Sequence, residues 1–209
     1  MKNTMLFVSV LLLSLTTNAA QARPVSYVGG WTAMQMNELD SNLLHIHYSP
    51  TVNYSIGYLG RYWQENDWQF QGVQVNNLLQ RWNNQGSQAN LYLQSGLGLA
   101  IDDGSELAAF TGIAFDWETR RYFTSYENEF VYAGDIDKFF TQKARVGIAP
   151  YEGDYGDLHT WLMLQIDHNP TSSDKFKITP IIRLFKGEYL AEVGVSDAGD
   201  VLFNWTIRF

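Results

Sequence analysis

The sequence predicts an all-β fold, a single-domain antiparallel transmembrane β-barrel of twelve strands. Three observations lead to this prediction. Bulky apolar residues alternate with small or polar residues over most of the chain, turn-forming residues separate the alternating segments, and the chain ends inside such a segment. A period of two places successive side chains on opposite faces of a strand. No helical apolar stripe longer than about ten residues follows residue 22, judged against a 3.6-residue period.

The first element is typical of a secretory signal peptide. It carries a positive charge at Lys2, an apolar run over residues 5–15 and an A-x-A cleavage site at residues 20–22. The apolar run is too short for a helix that spans a membrane. We therefore predict a cleaved signal peptide over residues 1–22, and an exported barrel over residues 23–209.

Composition excludes several classes of function. Without Lys2 the chain has 13 basic and 22 acidic residues, a net charge of −9, so nucleic acid is a poor candidate for a partner. Cys is absent, so disulfides cannot stabilise the exported chain. No nucleotide-binding loop, zinc-protease signature or glycine-rich phosphate loop occurs, and the sequence therefore predicts no cofactor.

Twelve alternating segments follow the signal, separated by turn residues such as DDGS, NPTSSD and SDAGD. They cover residues 31–37, 43–49, 51–63, 68–82, 89–100, 106–118, 121–133, 139–151, 158–168, 175–186, 189–196 and 201–209. An even number of strands puts both chain ends on one side of a barrel. Eight or ten strands would result if the short segments at 31–37 and 43–49 formed a plug or a loop.

Alternation by itself also fits a soluble barrel or sandwich. Three features favour a membrane. Most segments reach the nine to eleven residues or so that a tilted strand needs to cross a bilayer, and glycines recur on the polar faces, where a crowded lumen needs small side chains. Aromatic residues also gather near strand ends, as interfacial girdles require. We assign to these girdles Tyr62, Trp63, Trp68, Trp82, Trp117, Tyr122 and Tyr151.

The last element is the segment FNWTIRF, residues 203–209. One face carries Phe203, Trp205, Ile207 and Phe209, and the other carries only polar residues. Behind a signal peptide, this ending resembles the C-terminal assembly signal of Gram-negative outer-membrane β-barrels. The resemblance implies insertion into outer-membrane lipids by the barrel assembly machinery, with both chain ends on the periplasmic side. It implies no activity, since porins, enzymes and structural barrels share the signal.

Strand parity predicts a lumen with charges of both signs. The charged residues assigned to it are Arg61, Asp116, Glu118, Arg121, Glu127, Glu129, Lys143, Arg145, Asp167, Lys177, Arg183, Glu192 and Arg208. In one interpretation these residues pair across the interior and fill it, which gives a structural barrel. In the other they line a narrow, porin-like passage for small polar solutes or ions.

The histidines are the sharpest candidates for binding chemistry. The segment HIH puts His45 and His47 on one face of a strand, about 7 Å apart at the usual strand rise. In the preceding strand, the segment MQM puts Met34 and Met36 on one face. Imidazole and thioether together suit copper or silver, bound or exported. Strand parity cannot be carried across a turn of unknown register. An alternative arrangement therefore stays open, in which the methionines face lipid and the histidines line the lumen.

A lipid-acting hydrolase is a further hypothesis. Outer-membrane lipases and lipid A deacylases place Ser and His on the outer face of a barrel, near the lipid headgroups. Here His168 ends a strand on its lipid-facing side, and Ser172 and Ser173 follow. Asp167 points inward by parity, however, so it cannot orient His168 as the acid of a triad would. The sequence therefore assigns no catalytic residue.

Overall fold

The computed structural model describes residues 23–154 and 156–209, which form one closed antiparallel barrel of twelve strands. The strands are β1 (Trp31–Asn37), β2 (Ser41–Tyr48), β3 (Tyr54–Trp63), β4 (Trp68–Asn84), β5 (Ser87–Ile101), β6 (Ser105–Thr119), β7 (Tyr122–Ala133), β8 (Asp137–Ile148), β9 (His159–His168), β10 (Phe176–Lys186), β11 (Tyr189–Val195) and β12 (Val201–Arg208). The predicted fold class and strand number are confirmed. The alternative of a plug or loop at 31–37 and 43–49 is wrong, because these segments are β1 and β2. The predicted signal peptide lies outside the described residues.

The barrel closes by pairing its first and last strands. Each strand pairs with its neighbours in sequence, and β1 pairs with β12 in a register that puts Thr32 opposite Arg208. At the end of this pair, the Trp31 backbone N donates to the Phe209 carbonyl at 2.7 Å, and the Phe209 N donates to the Trp31 carbonyl at 3.0 Å. Phe209 is therefore the last rung of the closing strand.

The two faces of the sheet differ as the alternation predicts. On the outside, apolar side chains are exposed, for example Leu97, Leu107 and Ile182. Their inward neighbours are small or buried: Ala108 is fully buried, and Ile181 is 2% exposed. Within residues 23–154 and 156–209, no helix has the length and apolar character of a membrane span.

The strands alternate in direction, so the loops divide between two ends of the barrel. We call the end that holds Trp31 and Phe209 the terminus end; its loops are residues 49–53, 85–86, 120–121, 149–158 and 187–188. The opposite end, the far end, has the loops 38–40, 64–67, 102–104, 134–136, 169–175 and 196–200. Most of these loops have five residues or fewer, so they extend only a short way beyond the ends of the strands.

A buried apolar cluster fills part of the lumen towards the far end. It includes Trp63 and Trp68, whose rings stack at 4.0 Å between centroids, and Phe70 and Phe110, whose rings meet edge to face at 5.4 Å. Gly96 gives Phe110 its room, since a Cβ there would lie 2.1 Å from the ring. The prediction that Trp63 and Trp68 belong to a girdle is therefore wrong, because both are inward-facing and at most 8% exposed.

Candidate functional site: a polar cavity inside the barrel

A cavity of about 220 Å³ occupies the lumen. Its lining runs from Pro24, near the terminus end, to Asp40 and Asn169 in loops of the far end. Asp40 and Asn169 also line a second cavity of about 250 Å³ at the far rim. The two cavities therefore share part of their walls.

Glu192 on β11 is the centre of the largest group of charges around the cavity. Its carboxylate accepts hydrogen bonds from Arg183 Nε at 2.6 Å, Arg145 Nη1 at 3.2 Å and Asn204 Nδ2 at 3.0 Å. Glu192 is 3% exposed, and the two arginines are at most 8% exposed. Arg145 also donates to Gln165 Oε1 at 2.5 Å. The pairing satisfies charges that would be costly to bury alone.

The turn between β1 and β2 folds into the lumen. Leu39 is 9% exposed and belongs to an apolar cluster with Met163 and Leu202. On either side of it, Glu38 accepts from Lys143 Nζ at 2.5 Å, and Asp40 accepts from Lys177 Nζ at 2.7 Å. Burial acts to raise the pKa of the Glu38 carboxyl, but the nearby cations outweigh burial and hold this pKa below its usual range. Glu38 therefore stays ionised and bridges the turn to β8.

The other predicted lumen charges form smaller groups. Arg61 pairs with Glu129 at 2.6 Å, and Lys177 pairs with Asp200 at 2.9 Å as well as with Asp40. Among the remaining residues, Asp116 accepts from Asn90, Asp167 accepts from Gln165, and Glu127 lines the cavity in register with Lys143. The assignment of Arg121 to the lumen is wrong, because Arg121 lies exposed in the turn before β7.

The segment of residues 23–26, which we call the plug segment, enters the barrel at the terminus end. The Arg23 guanidinium pairs with Glu118, and both side chains are at most 10% exposed. The Pro24 carbonyl accepts from Ser55 Oγ at 2.6 Å, and Val25, 3% exposed, packs against Tyr92. The plug segment thus occupies the lumen next to the cavity.

The four candidate metal ligands lie on the interior face of β1 and β2. Met34 stands directly opposite His45, and Met36 stands opposite Leu43. Met34, Met36 and His45 line the cavity, and His47 is fully buried, with its ring centroid 4.5 Å from that of His45. The alternative in which the methionines face lipid is therefore wrong.

The residues of the hydrolase hypothesis do not come together. The His168 ring stacks on Phe176 at 4.4 Å and lies 3.4 Å from Gln142. The Ser172 and Ser173 hydroxyls donate instead to the carboxylate of Glu65, at 3.0 and 3.4 Å. Asp167 contacts Gln165 and not His168. No serine–histidine pair is formed by these residues.

Sequence reasoning missed three charged residues of the lumen. Glu38 and Asp40 lie in the breaker NELDSN, and turn residues carry no strand parity. Arg23 precedes the first strand, so parity could not place it either. The signal in the sequence for Glu38 and Asp40 was the four basic residues that parity places on the inner faces of β8 and β10, which require acidic partners.

The fold is similar to that of known porins. A solved structure of a KdgM porin matches with a TM-score of 0.50 at 9% identity, over 86% of this chain and 98% of the porin. A KdgM porin solved in complex with disordered oligogalacturonate matches with a TM-score of 0.51 at 10% identity, over the same shares. No protein-family model matches the sequence, and no curated protein matches it. At these identities the comparison supports the barrel fold alone.

Proposed function

We propose that the chain is an integral outer-membrane barrel that provides a narrow passage for small polar solutes or ions. The observation that carries this proposal is the polar cavity, whose charged lining extends from Pro24 to the loops of the far end. The fold shared with porins supports it, and one of those porins was solved with an oligogalacturonate. The lining of the cavity carries charges of both signs. Selection of solutes by their size and hydration is therefore favoured over selection by the sign of their charge.

We expect the exported chain to be recovered from the outer membrane. The apolar outer face needs lipid, and the closed sheet leaves no unpaired edge in hydrocarbon. Membrane fractionation tests this, together with gel mobility before and after heating. Recovery as a soluble periplasmic protein without a heat-dependent shift would overturn the assignment.

The passage is expected to be closed at the terminus end by the plug segment. Cleavage after residue 22 would make Arg23 the first residue, so that the plug segment is a free end held by the Arg23–Glu118 pair and by Val25. We expect a chain that lacks residues 23–26 to conduct several-fold more current in planar bilayers than the mature chain. The measurement is single-channel conductance at fixed salt.

A matched control is Val28→Ser, since Val28 follows the plug segment and is 59% exposed. This variant is expected to conduct like the mature chain. A higher conductance of the chain that lacks residues 23–26, with no increase for Val28→Ser, would support a passage that the plug segment closes. Silence of the deleted chain, with its heat-dependent gel shift intact, would overturn the passage and leave a filled structural barrel.

A further inference from the structure

The interior face of β1 and β2 carries a small patch of soft and aromatic ligands. Three residue pairs form it: Thr32 with His47, Met34 with His45, and Met36 with Leu43. Side chains directly opposite one another in an antiparallel pair have Cβ atoms roughly 4.5–5.5 Å apart. The Met34 thioether and the His45 imidazole can therefore reach the same point, with His47 and Met36 one step away on either side.

The imidazoles of this patch are buried without hydrogen-bond partners. His45 is 3% exposed and His47 is fully buried. Among the described residues, His45 Nε2 and both ring nitrogens of His47 have no partner. Buried polar nitrogens are normally satisfied, because leaving them unpaired is costly. Three unsatisfied nitrogens in adjacent rings thus point to a ligand.

The position of the patch allows a ligand to reach it. Met34, Met36 and His45 line the cavity, so an ion in the cavity lies next to the side chains that carry the sulfur and nitrogen ligands. Gly57 stands opposite His47 on β3, where a Cβ would lie 2.4 Å from the His47 Cα. Glycine thus allows β3 to approach the backbone of the patch closely.

The chemistry of the patch selects a soft monovalent cation. Thioether and imidazole are neutral ligands, and thioethers favour Cu(I) over harder ions. Zn²⁺ is normally held by sites built from Cys, His and carboxylates, and the described residues contain no group of three or more such side chains. Arg208 lies beside Thr32 on β12, close to His47, and its charge disfavours a divalent cation more than a monovalent one.

We propose that Met34, His45 and His47 form a binding site for one soft monovalent cation, Cu(I) or Ag(I), with Met36 at its entrance from the cavity. Met34 and His45 are the central pair, and His47, whose ring centroid lies 4.5 Å from that of His45, is the third ligand. The site is reached from the cavity, but its binding chemistry is independent of whether the cavity conducts.

The test is a titration of the purified mature barrel in detergent. Ag(I) is added as the nitrate in chloride-free buffer, and Cu(I) is added in competition with a colorimetric chelator. We expect one equivalent to bind, with sulfur and nitrogen ligation in the X-ray absorption spectrum. The double variant Met34→Leu with His45→Gln keeps the side-chain volumes roughly constant and is expected to weaken binding by at least tenfold.

A matched control uses the other residues of the same types. Met163 lies in a different interior cluster and His168 on the outer face, so Met163→Leu with His168→Gln should leave binding unchanged. The heat-dependent gel shift reports folding of each variant. Equal binding by the Met34–His45 variant, an equal loss in the control, or tighter binding of Zn²⁺ than of Ag(I) would overturn the proposal.

Discussion

Deletion of Phe209 is expected to lower the amount of folded barrel in cells sharply, while the same chain refolded in detergent still forms most of its sheet. The Phe209 side chain is 63% exposed on the outer face, so it makes little contribution to the interior. Its backbone makes two hydrogen bonds with Trp31. Each such bond contributes about 0.5–1.5 kcal/mol net, so the refolded barrel should lose roughly 1–3 kcal/mol.

The larger effect in cells follows from the resemblance of the ending to outer-membrane assembly signals, which assigns the recognition role to this ring. The measurements are outer-membrane yield and circular dichroism of the detergent-refolded chain. Phe209→Ala, which keeps the backbone pair, should lower the yield nearly as much as the deletion. Phe176→Ala is the matched control, because Phe176 is an equally exposed phenylalanine of β10.

Two results would contradict this prediction. A normal yield after deletion of Phe209 would mean that the ending is not a recognition signal. A low yield in cells together with loss of the sheet in detergent would mean that Phe209 acts through stability alone, as the last paired residue of the barrel.

Replacement of Glu192 by Gln is expected to destabilise the folded barrel strongly. Gln keeps the shape of the side chain but removes the charge that Arg145 and Arg183 share. Removal of one partner from a buried ion pair typically costs about 3–5 kcal/mol, because the remaining charge is left uncompensated. The measurement is the free energy of unfolding by urea in lipid vesicles, followed by tryptophan fluorescence.

Glu152→Gln is the control for the loss of a carboxylate. Glu152 pairs with Arg120 at 3.3 Å, but both side chains are exposed to solvent, at 43% and 64%. Such a pair contributes about 1 kcal/mol or less. The double variant Arg183→Gln with Glu192→Gln should cost less than the sum of the single variants, because it also removes one uncompensated charge. Equal costs for Glu192→Gln and Glu152→Gln would contradict the prediction.

Alternation was sufficient to locate the strands. The predicted segments and the observed strands overlap in all twelve cases, and the two short segments at the N-terminal side join the barrel as β1 and β2. The reason is that every strand has one face towards the outside and one towards the lumen, so each carries the same signal. Local alternation therefore determined strand identity without knowledge of the partners.

Position near a strand end was not sufficient to distinguish an aromatic girdle from an interior cluster. Trp63 and Trp68 flank a far-end turn, as girdle residues do, yet both point inward and stack on each other. A barrel with twelve strands has interior space that small residues alone leave empty, and aromatic rings fill it. Which aromatic residues do so depends on strands that are distant in sequence, such as β3, β6 and β8.

The sequence by itself determined the fold class, the strands and the apolar ending, because these follow from residue periods within short segments. Only the tertiary structure decided which groups meet inside the barrel. The pairing of Glu38 with Lys143, of Arg23 with Glu118, and the position of Met34 opposite His45 depend on turn geometry and register. Turns carry no period, and a change of register by one residue would send every side chain of a strand to the opposite face.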